Sequence, residues 1–246
     1  MQFTSQTSSD GVTEQFFVVP AAGEDVPAVL WTPQDAAGNR RLILMGHGGG
    51  QHKSAPGVVA RARQFVEHGY AVVAVDAPGH GERMRTEEQS RLAGEIRSRM
   101  QAGLDALPVL AEFHSLLVDQ GVTEWRAVVD AVAELGVVEP GRVGYWGLSL
   151  GCALGVRYVA DDPRVVAAVL GLNGVSTSAG GAQQVSVPVE FLVQWDDELV
   201  PRSDALALFD AFASAEKTLH ANRGGHFQVP DFETESSLRF FGRHLT

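Results

Sequence analysis

A single cysteine, Cys152, stands in the 246 residues, so the chain can form no intrachain disulfide and no thiolate metal cluster. Cations are scarce as well: 19 Lys and Arg face 30 Asp and Glu, for a formal net charge of −11. That leaves no surplus of positive charge for phosphates and argues against nucleic-acid binding. No apolar run approaches the length of a membrane span. The opening residues, Met1-Gln2-Phe3-Thr4-Ser5-Gln6, carry neither a basic region nor an apolar core, so no signal peptide is expected and the chain reads as cytoplasmic. Internal repeats and linkers are also missing. What remains is an ordinary globular composition, 45% hydrophobic and 20% charged, in a length that suits one domain with a large core.

Strand-like and helix-like segments alternate along the chain, which predicts an α/β fold with a mostly parallel sheet covered on both faces. Glu14 to Val19 and Val26 to Trp31 read as an opening hairpin. Further strands are expected at 41–45, 71–75, 142–146, 165–170, 189–195 and 217–220. Helices are expected at 58–68, 124–135, 152–160, 206–213 and 236–244. Between Glu82 and Gln120 lies an unusually long connection.

The chemistry concentrates at strand ends. Gly147-Leu148-Ser149-Leu150-Gly151 stands between a strand and a helix, where flanking glycines let a serine sit in a strained turn with its hydroxyl exposed. A serine hydroxyl needs a base, normally a histidine held by a carboxylate. His226 in Gly224-Gly225-His226 follows the last strand; His220 and His244, within a strand and the terminal helix, read as structural. Asp196-Asp197-Glu198 follows the strand 189–195, with Asp197 favoured over Asp196 and Glu198 third. His47-Gly48-Gly49-Gly50 is suited to turning backbone amides toward a developing oxyanion. A phosphate cradle is the rival reading of that loop, but no Gly-Lys-Ser/Thr follows it. His47 itself reads as a brace for the loop, and Cys152 as a small buried helix residue.

Taken together, His47-Gly48-Gly49-Gly50, Gly147-x-Ser149-x-Gly151, Asp197 and His226 resemble the serine α/β-hydrolase superfamily, over nearly the whole chain. The turn Asp197-Glu198-Leu199-Val200-Pro201 is similar to the acid loop of compact esterases and dienelactone-hydrolase-like members, where Asp precedes Pro by four residues. The resemblance implies Ser149 as nucleophile, His226 as general base and Asp197 as its orienting acid. It implies an oxyanion hole from the amides of Leu150 and Gly49, with Gly48 the near alternative. His80, in the turn Asp76 to Gly81, is expected to be structural. The implied activity is hydrolysis of a carboxylic ester or thioester of a small molecule through an acyl-enzyme, with no metal or organic cofactor. A lyase, acyltransferase or carbon–carbon hydrolase using the same triad is the alternative, and a non-catalytic ligand-binding relative is a third.

Members of that superfamily often carry a cap between the strands that here end at Leu170 and begin at Val189, yet only a short Gly/Ser-rich stretch stands there. The extra material lies earlier, and the resemblance implies a small helical lid at about residues 83–120, within a single hydrolase domain spanning 1–246. Arg83, Glu87, Arg91, Glu95 and Arg99, each four residues from the next, read as an exposed salt-bridge ladder. Arg85 and Arg97 lie off that ladder and are the arginines to test for substrate recognition.

Overall fold

The structure is a computed structural model that describes residues 1–34, 39–178 and 180–245. Its strands are β1 (Gln2–Ser9), β2 (Val12–Ala21), β3 (Glu24–Pro33), β4 (Arg40–Gly46), β5 (Ala71–Val75), β6 (Val138–Leu148), β7 (Val165–Gly171), β8 (Val189–Gln194) and β9 (Lys217–Asn222). They form one sheet in the order β1-β2-β3-β5-β4-β6-β7-β8-β9. The pairs among β1, β2, β3 and β5 are antiparallel, and every pair from β5 to β9 is parallel. The parallel strands are covered on both faces, which is why Leu42–Met45 and Ala71–Val75 are continuous apolar runs. Strand β1 has no such signature. It is polar, wholly exposed and paired only with β2, so periodicity gave no reason to expect it.

Helices α1 (Pro56–Glu67) and α6 (Phe232–His244) pack on one face, where Phe65, Trp31, Val72 and Phe241 share a buried cluster. The other face is covered by α2 (Glu87–Gln101), α3 (Leu107–Ala133), α4 (Leu150–Asp161) and α5 (Arg202–Ala211). Helix α2 starts at a capping box. Thr86 Oγ1 accepts the Gln89 amide at 3.1 Å, and Gln89 Oε1 accepts the Thr86 amide at 3.0 Å.

Helix α3 departs from expectation. It begins 17 residues before Glu124, because Val109, Phe113, Leu117, Val118 and Val122 extend the same buried stripe toward its N-terminus. Gly121 does not break it; the glycine lets α3 approach α4, where an added Cβ would sit 3.4 Å from Leu154. No helix of the described residues is long and apolar enough to cross a membrane.

The salt-bridge ladder also needs correction. Arg91–Glu95 (3.3 Å) and Arg99–Glu95 (3.0 Å) are present and exposed, and Glu88 rather than Glu87 is the partner one turn earlier. Arg83 is not part of it. It precedes the helix, is buried, and forks its guanidinium onto both carboxylate oxygens of Glu124 at 2.7 Å while reaching Glu24 at 2.6 Å. Four-residue spacing carries pairing only along a continuous helix, and the cap at Thr86 starts that helix too late to include it.

Candidate active site

Ser149 is the one residue between β6 and α4, with φ 56° and ψ −118°. A non-glycine side chain there is strained, by an amount on the order of 1–3 kcal/mol. The surroundings enforce it. A Cβ on Gly147 would lie 2.6 Å from the carbonyl oxygen of Gly151, and one on Gly151 would lie 2.8 Å from that of Gly46. Tyr145 beneath the turn donates its hydroxyl to the Gly151 carbonyl at 2.7 Å. The turn is therefore tied to β4 as well as β6, and Gly46 pairs with Gly147 in register.

This position has a topological cause. The chain after β4 crosses to β5 on one side, whereas β6, β7, β8 and β9 follow one another on the other. The loops leaving β4 and β6 thus diverge and open a crevice at their carboxyl ends, the usual location of ligand sites in such sheets.

The loops after β8 and β9 bring two more side chains to Ser149. Its hydroxyl donates to His226 Nε2 at 3.0 Å, and His226 Nδ1–H donates to Asp197 Oδ2 at 2.8 Å. The second bond assigns the ring tautomer that leaves Nε2 free to accept. Both the His226 and Asp197 side chains are 4% exposed. Burial pushes the Asp197 carboxyl upward. The hydrogen bond and charge of His226, with the amides of Val200 (2.9 Å) and Leu199 (2.8 Å) on Oδ1, outweigh it and hold the group below its ordinary value.

The neighbouring acids do different work. Asp196 is exposed and accepts the Gly224 amide at 3.3 Å, out of reach of the histidine ring. Glu198 accepts the backbone N–H of His226 at 3.0 Å. An added Cβ on Gly225 would meet that carboxylate at 2.6 Å, so the glycine makes the contact possible. The third acid of the run thus positions the histidine's backbone, a task that a run of acids in the sequence does not announce.

The loop Gly48–Gly50 lies against Ser149. Gly48, Gly49 and Leu150 surround the open space at the serine, and their amides have no acceptor among the described residues. For Leu150 this follows from its place in the first turn of α4. His47 braces the loop. Its Nε2 accepts the Ala77 amide at 3.0 Å and its Nδ1–H donates to the Gly48 carbonyl at 2.8 Å, while burial lowers its pKa to about 4. His80 is buried and donates to the Pro78 carbonyl at 3.0 Å. Cys152 is buried and its thiol is pushed up to about 12 by burial, so it is inert as a nucleophile.

Two cavities meet at Ser149, His226, Gly49 and Phe227. The larger, about 460 Å³, lies beneath α2 and the first half of α3 and is lined by Ala93, Ile96, Met100, Leu110 and Phe113. His114 also lines it, donating to the Thr177 carbonyl at 3.0 Å, and burial lowers its pKa to about 4. Arg85 and Arg97 are exposed at its wall, and Arg85 Nε donates to the Gly79 carbonyl at 2.9 Å. The smaller cavity, about 240 Å³, is lined by Trp146, Arg61 and Val58 on the α1 side. Phe227, 71% exposed and edge-on to His226, stands between the two. Its place directly after the histidine was the one available signal in the sequence.

The sequence profile of the alpha/beta hydrolase family matches residues 42–242. No curated protein matches the chain. Among solved structures, a cold-adapted esterase from an Arctic intertidal metagenomic library, in a PEG-bound complex, is 33% identical, with full coverage of both chains and a TM-score of 0.82. An acetyl xylan esterase from Paenibacillus sp. R4 is 15% identical over 99% of this chain and 87% of its own, with a TM-score of 0.76. A dienelactone hydrolase-like protein from Klebsiella pneumoniae is 17% identical over 96% and 100%, with a TM-score of 0.72. The last two likenesses concern the fold.

Proposed function

The chain belongs to the alpha/beta hydrolase family, and from that membership we propose that it is a serine hydrolase cleaving a carboxylic ester or thioester of a small molecule through an acyl-enzyme. One observation carries this reading: the unbroken relay from Ser149 Oγ through the His226 ring to Asp197, at 3.0 and 2.8 Å, on a serine held in a strained turn. The likeness to the Arctic metagenomic esterase supports the ester bond as the target.

His226 Nε2 takes the Ser149 proton as Oγ bonds to the substrate carbonyl carbon. The carbonyl oxygen becomes an oxyanion, and the amides of Leu150 and Gly49, with Gly48 beside them, are the donors that face it. One such donor contributes roughly 3–4 kcal/mol at the transition state. The bond to the leaving oxygen or sulfur breaks as Nε2–H returns the proton to it. A water then gives its proton to Nε2 as its oxygen attacks the acyl carbon; the bond from that carbon to Oγ breaks as Nε2–H returns the proton to Oγ, and the acid is released. Asp197 remains ionised throughout, holding the tautomer and balancing the imidazolium.

Helices α2 and α3 act in this reading as a lid that shapes the larger cavity, within one hydrolase domain. The test is turnover of a series of p-nitrophenyl esters and of one acyl thioester by the wild type and Ser149→Ala. Esterase activity present in the wild type and lost in the variant is the expected result; a variant that turns over as fast as wild type would refute the assignment.

A further inference from the structure

Of the two cavities at Ser149, the smaller has a feature that ester hydrolysis alone does not require. Arg61, on α1, lies with its guanidinium 4.0 Å from the centre of the Trp146 ring, a stack that fixes the plane of the cation. Among the described residues no carboxylate reaches it. Its one hydrogen bond is a long one, from Nη1 to the Gly57 carbonyl at 3.3 Å, and Asp231 acts on it only through space. Its Nε is sealed from solvent with no acceptor, and so is the indole N–H of Trp146, a residue 5% exposed. Nη2 is neither bonded nor sealed, so it is the donor left open.

Arg61 is half-buried, and a cation drawn partly out of water normally has an acid beside it, since desolvation is costly. Burial has lowered its pKa to about 10, which keeps it charged at neutral pH without relieving that cost. Exposure separates the arginines among the described residues: those without a carboxylate, such as Arg85, Arg97 and Arg202, are exposed, whereas of the arginines shielded from solvent Arg41, Arg63, Arg83, Arg99, Arg157 and Arg164 hold carboxylates and Arg40 shares with Arg61 the lack of one. In a protein with eleven excess negative charges, a cation kept free beside the nucleophile implies a partner that arrives with the ligand.

We propose that the smaller cavity is a subsite for an anionic group of the substrate, and that the enzyme prefers esters bearing a carboxylate a few bonds from the scissile carbonyl, bound at Arg61. This rests on the serine-hydrolase reading and names its substrate class. The planar guanidinium can take a carboxylate at Nη2 and draw its second oxygen toward the unpartnered wall. At about 240 Å³ the chamber accepts a short chain, while the uncharged remainder of the substrate fills the apolar chamber under α2 and α3.

Two matched pairs of substrates test this. Methyl hydrogen glutarate against methyl valerate puts the charge on the acyl side; acetoxyacetate against propyl acetate puts it on the alcohol side. The readout is the ratio of kcat/KM, charged over neutral, for wild type, Arg61→Lys, Arg61→Gln and Arg97→Gln, with folding checked by circular dichroism. One pair should show a wild-type ratio of roughly ten or more, the worth of a charge-assisted hydrogen bond. Arg61→Gln should bring that ratio to about one, Arg61→Lys should retain part of it, and Arg97→Gln should leave it in place. Ratios at or below one for both pairs overturn the proposal, and so does a preference lost in Arg97→Gln but kept in Arg61→Gln. If neither neutral nor charged esters are cleaved by folded wild type, it is the hydrolase reading that fails.

Discussion

The edge of the sheet that carries Ser149 and the helical cover above it are built on opposite principles. At the edge, each group is tied down by backbone: Ser149 between β6 and α4, His47 to Ala77 and Gly48, Asp197 to two amides of its own turn, and His226 to Glu198. The cover presents mainly apolar side chains to the larger cavity and exposed ion pairs to water, and its firmest tie below is the buried fork of Arg83 on Glu124 and Glu24. The edge thus holds the Ser149–His226–Asp197 relay in one geometry, and the cover forms the apolar wall of the chamber beside it.

The largest effect should come from the edge. Asp197→Asn is expected to lower kcat by roughly ten-thousand-fold, as loss of the orienting acid does in a serine triad. Asp196→Asn, one residue away, should change it little, because its carboxylate meets only the Gly224 amide. Kinetics on one p-nitrophenyl ester separates the two, and the reverse ranking would move the acid to Asp196.

The tie between the regions comes next. Arg83→Met leaves Glu124 buried and without its cation, which should cost about 3–5 kcal/mol in denaturant unfolding. Arg91→Ala removes more ion pairs yet should leave the midpoint unchanged, since all of its partners are in water. If the two variants unfold alike, the distinction between buried tie and solvated ladder collapses.

Asp76 extends the comparison to pH. Burial pushes its carboxyl up, but the amides of Glu82 and Lys53 and the Lys53 ammonium prevail and set it below the ordinary value. A depressed carboxylate stabilises the fold above its unfolded pKa, and that contribution is lost as the pH falls through the folded one. Asp76→Asn should therefore be less stable at neutral pH, with a flatter fall in stability below about pH 4. A smaller change is expected at the cover: Ile96→Trp should slow long acyl esters more than acetyl esters by filling the larger cavity. Equal slowing across chain length would remove the cover from substrate selection.

These regions also differed in how legible they were beforehand. The strands β4, β5, β7 and β8 are buried on both faces, so their apolar runs marked them plainly, and their ends carry Gly46, Asp76 and Asp197. Ser149 and His226 were visible because glycines and chain order surround them. The connection after β5 was less legible: the helix expected from residue 124 begins at Leu107, with Gly121 serving close helix packing inside it, and Arg83 has ladder spacing without a ladder. Strand β1 is held to β2 by backbone pairing and by polar side-chain pairs such as Gln15–Gln6, which hydrophobic periodicity does not record. Arg61 and Trp146 come from α1 and β6, far apart in sequence, and only the fold stacks them.

Activation of Ser149 by His226 and Asp197 can be read by treating folded protein with a fluorophosphonate and mapping the adduct by peptide mass spectrometry. One adduct is expected, on Ser149, with labelling much slowed in Asp197→Asn. Labelling at another residue, or no labelling of a folded and soluble wild type, would contradict it.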